Sequence, residues 1–321
     1  MDSKVHFKFV KIVNAYGREV STHINHPTGG DQDMIAANSD WTAFQAKQMG
    51  AFYLSPTAEF RRYEDNSGIV HGHQGTVYDL GFSPFYRNLL ASCGEDGKVK
   101  LWVIPEGGLN NRETEADVVL DEKAKKMHIL QWHGIADNTI ASAALDNIVR
   151  VWDIEKEKTS MTFDNIDQQI NCMRWGIDGK TITTISKGGT LIINDVRSND
   201  GKPLRCLTHT GPRVNRCVNA DVNHIITSGY NKQAAREIAL WDIRNLDKEV
   251  WKGPLGQGIG VMHLYFDPEL RLLTAVGRGE TEASCWEFEP GTAKPLYQSC
   301  VNQFKENTRA SHMMPKSCVD P

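Results

Sequence analysis

The sequence predicts an all-β fold, a β-propeller, from a motif that recurs along the chain and from the spacing of its copies. In the two clearest copies an apolar strand ends in Ser, a turn carries Asp, and a second apolar strand ends in Trp. These copies contain Ser92, Asp96 and Trp102, and then Ser142, Asp146 and Trp152. In both copies Asp follows Ser by four positions and Trp follows Asp by six.

The Trp position of this motif recurs along most of the chain. We place it at residues 53, 102, 152, 194, 241 and 286, so the spacings are 49, 50, 42, 47 and 45 residues. A period of roughly 40–50 residues is typical of four-stranded propeller blades. Tyr53 and Asn194 stand in the Trp place of two copies. The sequence therefore predicts six legible repeats, in a single domain that covers residues 1–321.

A hydrogen-bonded set explains why blades of this WD-repeat type keep these residues. The set consists of a His from a preceding Gly-His pair, the Ser, the Asp and the indole N–H of the Trp. These groups form hydrogen bonds with one another, because buried polar groups need partners. Lys123 stands where the second copy would have its His, so we expect that blade to be tied less rigidly. The predicted members are His73, Ser92, Asp96, Trp102, Ser142, Asp146, Trp152 and Trp241.

Composition excludes several classes of protein. The chain is 40% hydrophobic with a net charge of -4, whereas a general nucleic-acid binder would carry a basic excess. We see neither an apolar run of about 18 residues, as a membrane span needs, nor a signal peptide at the N-terminus. The seven cysteines form no C-x-x-C pair. We expect a cytoplasmic protein with reduced cysteines.

Three patterns resemble chemical sites, but we interpret each as structural. His71-Gly72-His73 lacks further metal ligands nearby, and one of its histidines belongs to the hydrogen-bonded set. The glycines of residues 256–260 precede a strand pattern, whereas a dinucleotide site needs a helix there. Asp153, Asp195 and Asp242 recur at one place in their repeats, which is typical of turn residues. We predict no catalytic residue, no metal and no cofactor.

Basic side chains on or beside the early repeats are the better functional candidates. An acidic partner would need exposed Lys and Arg on the contact face. Each of these residues could instead be an ordinary solvated surface charge. The candidates are Arg61, Arg62, Lys98, Lys100, Lys123, Lys125, Lys126 and Arg150.

Two blade segments and a short C-terminal motif resemble the coronins, which are actin-binding WD-repeat proteins. The similar stretches are residues 227–231 with 236–242, residues 93–96 with 102–109, and residues 314–316. The Trp-x-Ile-Pro-Glu-x-Gly-Leu sequence at 102–109 is not part of the general repeat, so it discriminates among propeller families. The resemblance implies a seven-bladed propeller that binds actin filaments, a C-terminal extension, and a coiled coil that oligomerises the chain.

The chain departs from that pattern near its end. No heptad run is present, and we interpret the sequence as an N-terminal propeller region whose seventh blade is incomplete. Residues 297–321 hold one predicted strand (298–304), and residues 5–10 would supply the closing strand of the ring. Residues 20–24 match a stretch where the family has a basic filament contact, but they contain no Arg or Lys.

Two functions remain open at this point. The first is a non-catalytic scaffold that binds actin filaments through a basic face, associated with the cytoskeleton and with other cytoskeletal proteins as possible partners. The alternative is a general WD-repeat adaptor that binds peptides at the mouth of the ring, without direct actin binding. A propeller enzyme would need polar residues converging in the channel, and the sequence indicates none.

Overall fold

The computed structural model describes residues 35–46, 48–57, 68–109, 115–198, 202–305, 307–308 and 310–314. Every helix or strand element within these ranges is a β-strand, and the 24 strands form six four-stranded antiparallel sheets. Each sheet contains four strands that are consecutive in sequence. This confirms the predicted all-β propeller with six repeats.

The six sheets are named blades 1 to 6 in chain order. Blade 1 contains β1 (Ile35–Ala37), β2 (Trp41–Gln45), β3 (Ala51–Pro56) and β4 (Ile69–His71). Blade 2 contains β5 (Val77–Phe82), β6 (Leu89–Gly94), β7 (Val99–Val103) and β8 (Val118–Leu120). Blade 3 contains β9 (Met127–Trp132), β10 (Thr139–Ala144), β11 (Val149–Asp153) and β12 (Lys158–Phe163).

The later blades repeat this order. Blade 4 contains β13 (Ile170–Trp175), β14 (Thr181–Ser186), β15 (Thr190–Asp195) and β16 (Leu204–Leu207). Blade 5 contains β17 (Arg216–Asn219), β18 (His224–Tyr230), β19 (Arg236–Asp242) and β20 (Trp251–Pro254). Blade 6 contains β21 (Met262–Asp267), β22 (Leu272–Gly277), β23 (Glu282–Phe288) and β24 (Leu296–Gln303).

Apolar layers between neighbouring blades form the core. Successive side chains of a strand point to opposite faces, so each central strand contributes to two layers. Trp102 of blade 2 packs with Phe52 of blade 1, whereas Leu101 packs with Leu130 and Trp152 of blade 3. Equivalent clusters join blades 3 and 4, 4 and 5, and 5 and 6. Burial on both faces explains why these strands read as nearly continuous apolar runs.

The antiparallel order places the loops at two ends of each blade. The upper face carries the turns between second and third strands and the connections between blades, such as residues 94–98 and 121–126. The lower face carries the other loops, such as residues 83–88 and 104–109. No helix long and apolar enough to cross a membrane occurs in the part of the chain that the structure describes.

Blade 1 differs from the prediction by two residues. Trp102 lies five residues after Gly97, whose backbone φ is 73°. Gly50 has a φ of 75° in the corresponding turn, so Ser55, which is fully buried, takes the Trp place. Tyr53 lies two residues earlier and stacks on Phe44, with ring centroids 4.9 Å apart. The sequence alone favours Tyr53 for this place because no Trp marks the repeat.

The strand predicted at residues 298–304 belongs to blade 6 and does not start another blade. It is β24, which pairs antiparallel with β23. The Trp place of each repeat lies on the third strand, so a fourth strand follows it in every blade. The predicted closing strand at residues 5–10 lies outside the described residues, as do residues 20–24.

Candidate functional site

Blade 2 contains the full hydrogen-bonded set. One nitrogen of His73, Nδ1, lies 2.9 Å and 3.0 Å from the two carboxylate oxygens of Asp96. The other, Nε2, lies 2.7 Å from the Ser92 hydroxyl oxygen. The Trp102 indole N–H donates to the same hydroxyl oxygen at 2.9 Å. The set therefore joins the upper-face loop to the second and third strands of the blade.

The Asp96 carboxylate is strongly stabilised in its ionised form. Burial opposes its ionisation, but hydrogen bonds from His73 and from the backbone N–H groups of Gln74 and Lys98 outweigh burial and lower its pKa to about 2. Gly72 is needed beside this set, because a Cβ atom there would lie 2.1 Å from the Trp102 ring. The Gly-His pair is thus a packing requirement as well as a hydrogen-bonding one.

Blade 3 replaces the missing His with an Arg. Trp152 donates to Ser142 at 2.8 Å, as in blade 2. The Arg150 guanidinium donates to both oxygens of Asp146, at 3.2 Å and 2.7 Å. Arg150 is only 7% exposed, so it does not belong to the exposed basic face on which the sequence analysis placed it. The sequence pattern of β11 contains a signal for this burial. Successive side chains of the strand face opposite neighbouring blades, and Arg150 occupies one of these positions.

Blade 5 contains a second set that the sequence analysis missed except for Trp241. The Trp241 indole N–H donates to the Thr227 hydroxyl oxygen at 3.0 Å, and His209 Nε2 lies 2.9 Å from the same oxygen. His209 Nδ1 lies 2.8 Å from a carboxylate oxygen of Glu237, which also pairs with Lys252. Burial opposes ionisation of Glu237, but these two partners lower its pKa.

The signal for that second set was present in the sequence. His209 precedes Thr227 by 18 residues, against 19 between His73 and Ser92. Thr227 supplies the same hydroxyl as Ser92, but the carboxylate comes from Glu237, which follows Thr227 by ten positions, whereas Asp96 follows Ser92 by four. The changed residue types and spacing together hide this copy of the set from the Ser–Asp–Trp pattern.

The predicted basic candidates other than Arg150 separate into three groups. Arg61 and Arg62 lie outside the described residues. Lys100 is partly buried, donates to the backbone carbonyl of Gly72, and has its pKa lowered by burial. The remaining four lie together on the upper face between blades 2 and 3, and we name them the basic surface: Lys98, Lys123, Lys125 and Lys126.

Two loops bring the basic surface together. The turn that ends at Lys98 packs on the connection at residues 121–126, since a Cβ atom on Gly97 would lie 2.1 Å from the carbonyl oxygen of Ala124. Lys98 pairs with Asp121 at 3.0 Å, and Lys126 pairs with Glu95. Lys123 and Lys125 are exposed, and neither makes an ion pair within the described ranges.

The other chemical patterns resolve into structure. His71 is exposed at the end of β4, while His73 is bonded within the blade 2 set. Residues 256–260 connect β20 to β21 and precede no helix. Groups of three or more His, Cys, Asp or Glu side chains arranged to hold a metal ion are absent from the described part of the chain.

A groove of about 780 Å³ lies on the lower face between blades 1 and 2. Its lining combines the apolar Trp41, Ile104 and Leu109 with acidic side chains that include Asp40 and Glu106. The groove lies on the lower face, whereas the basic surface lies on the upper face. The adaptor alternative predicted a pocket at the mouth of the ring, which is a different place.

Comparisons with known proteins agree with this architecture. The family model "WD domain, G-beta repeat" matches residues 65–103, which include the blade 2 set. Coronin-2B of Homo sapiens is 30% identical over 295 residues, which cover 90% of this chain and 60% of that protein. The Coronin-like protein of Saccharomyces cerevisiae is 26% identical over 314 residues, covering 90% of this chain and 46% of that protein.

The fold is also similar to a solved propeller. The crystal structure of the WD40 domain from Toxoplasma gondii coronin has a TM-score of 0.83 with this chain, at 24% identity. The match covers 91% of this chain and 75% of that one. At this identity the structural likeness supports the fold. The chain spans about half the length of the curated relatives cited above.

Proposed function

The chain belongs to the coronin family, and from that premise we propose that it is a non-catalytic, cytoskeleton-associated scaffold that binds actin filaments through the basic surface. The observation that supports this most directly is that Lys123 and Lys125 are exposed and form no ion pair with any residue that the structure describes. They lie on one connection between two rigid blades, so the fold holds them in a fixed relation.

The neighbouring ion pairs do not prevent this surface from acting as a contact. Exposed pairs such as Lys98 with Asp121 contribute about 0–1 kcal/mol, so they rearrange at little cost when an acidic partner approaches. Three carboxylates lie among these four lysines: Glu95, Asp121 and Glu122, of which Glu122 lies 3.8 Å from the Arg150 guanidinium. The lysines therefore exceed the carboxylates by one charge, and this excess depends on Lys123 and Lys125. We expect these two lysines to dominate the electrostatic attraction.

The experiment is co-sedimentation of the chain with actin filaments at low and at physiological salt. The proposal predicts pelleting that weakens as salt rises, because exposed charges are screened. The variant K123E/K125E should pellet at least tenfold less at low salt. The variant K187E/K248E makes the same change in net charge on other blades and serves as the matched control, with pelleting close to that of the parent.

The lower-face groove favours a second candidate, an adaptor that binds a peptide there. Its acidic lining would attract a basic peptide and repel an acidic filament. If the chain does not pellet with actin at any salt, the actin proposal fails and this adaptor function becomes the leading one. If both charge-reversal variants pellet equally, the basic surface is not the filament contact.

A further inference from the structure

Two cysteines on adjacent inner strands are in contact across the layer between blades 4 and 5. Cys172 lies on β13 and Cys217 on β17, and their sulfur atoms are 3.8 Å apart. The Cys172 thiol donates a hydrogen bond to the backbone carbonyl oxygen of Cys217 at 3.6 Å, and loses this bond when it ionises. Both side chains are 1% exposed, and both are free thiols. The structure thus holds two thiols side by side with an apolar layer around them.

An uncompensated positive charge lies beside this pair. Arg216 is 5% exposed and reaches from β17 to donate to the backbone carbonyl of Asn171, the residue that precedes Cys172. Its Nε and Nη2 atoms have no hydrogen-bond partner, and no carboxylate pairs with it, among the residues that the structure describes. A buried guanidinium without a counter-charge is costly, and a thiolate at Cys172 would offset that cost.

The local electrostatics favour a thiolate at one position of the pair. The hydrogen bond from the Cys217 thiol lowers the pKa of Cys172, burial opposes this, and the charges of Arg174 and Arg216 lower it further. Because Cys217 donates its proton toward Cys172, its own pKa is raised. The two cysteines are therefore distinct: one is suited to attack an oxidant, and the other keeps its proton.

We propose that Cys172 is an oxidation site for hydrogen peroxide and that Cys217 resolves it, which forms a disulfide between blades 4 and 5. The Cys172 thiolate attacks one peroxide oxygen, the O–O bond breaks, and the products are a sulfenic acid and hydroxide. The Cys217 sulfur then attacks the Cys172 sulfur, and water leaves with the Cys217 proton. The hydroxide takes up the proton that Cys172 released on ionisation, so overall two thiols are oxidised to one disulfide and one peroxide is reduced to two waters.

The geometry makes the second step local. A disulfide needs a sulfur–sulfur distance of about 2.05 Å, so the two atoms must approach by less than 2 Å from their present contact. The adjacent inner strands already hold them at this separation. Peroxide is similar in size to water, and it reaches the pair through transient opening of the layer between the blades.

The test uses the reduced full chain, treated with hydrogen peroxide, alkylated and digested without reductant. We expect mass spectrometry to find a peptide linked through Cys172 and Cys217, two hydrogen masses lighter than the reduced peptides and lost on treatment with dithiothreitol. Cys206 is the internal control, because it is partly buried and burial raises its pKa to about 12. We expect it to remain alkylatable throughout.

Two variants separate the roles of the cysteines. In C217S the sulfenic acid at Cys172 has no resolving thiol, so a dimedone adduct should accumulate at that residue beyond its level in the parent. In C172S neither a linked peptide nor a Cys217 adduct should form. Absence of the linked peptide from the peroxide-treated parent overturns the proposal, as does oxidation of Cys206 at an equal or greater rate. The parent alone decides the question if either variant fails to fold.

Discussion

The buried hydroxyl groups of the hydrogen-bonded sets should contribute differently to stability. The contribution of each hydroxyl should depend on how many hydrogen-bond partners it has. Ser92 contacts both the Trp102 indole N–H and His73 Nε2, at 2.9 Å and 2.7 Å. Ser142 contacts the Trp152 indole N–H at 2.8 Å, and no His reaches it in the described structure. Both serines are fully buried. Substitution by Ala removes one oxygen atom in each case.

The expected magnitudes follow from the number of groups left without a partner. An unsatisfied buried polar group costs about 2 kcal/mol. S92A leaves two such groups and should lower the free energy of unfolding by about 4 kcal/mol, whereas S142A leaves one and should lower it by about 2 kcal/mol. Thr227 also holds two partners, so T227V should resemble S92A.

Urea unfolding followed by circular dichroism measures these differences. The shift of the midpoint at constant slope reports the change in the free energy of unfolding. We expect S92A and T227V to shift the midpoint about twice as far as S142A. The reasoning is refuted if S142A destabilises as much as S92A, since partner number would then not determine the cost.

Three further outcomes are expected. R150M should lower the free energy of unfolding by about 3 kcal/mol, because it leaves the Asp146 carboxylate without its partner, and the same urea assay measures it. The stability from ionised Asp96 is present above its ordinary pKa of 3.8 and lost as pH falls towards 2, so D96N should flatten the decline in unfolding free energy measured between about pH 4 and pH 2. G72A should displace the Trp102 ring, which lies 2.1 Å from the new Cβ, and cost about 1–3 kcal/mol with a changed near-UV spectrum.

The fold could be predicted because its determinant is a local repeat. Alternating apolar strands, a turn Asp and a strand Trp recur at blade period, and each copy specifies one sheet by itself. The errors arose where the marker residue was replaced. Ser55 has no indole to mark its repeat, and β24 follows the last Trp without any motif of its own.

The sites were harder to predict because they depend on partners distant in sequence. Arg150 looks like a surface charge until the packing of a neighbouring blade is known, which leaves it 7% exposed. The ion pair of Lys126 with Glu95 joins two loops that are 31 residues apart in the chain. The contact between Cys172 and Cys217 likewise follows from the packing of adjacent blades. The periodicity of the sequence predicts that the blades pack together, but it does not predict which residues of the two blades face each other.

The most direct test of the proposed function is the ratio of actin affinities between the two charge-reversal variants, measured by co-sedimentation at low salt. The two variants carry the same net charge, so non-specific electrostatic effects cancel. We predict that K123E/K125E binds filaments at least tenfold more weakly than K187E/K248E. Equal affinities would contradict the assignment of the filament contact to the upper face between blades 2 and 3.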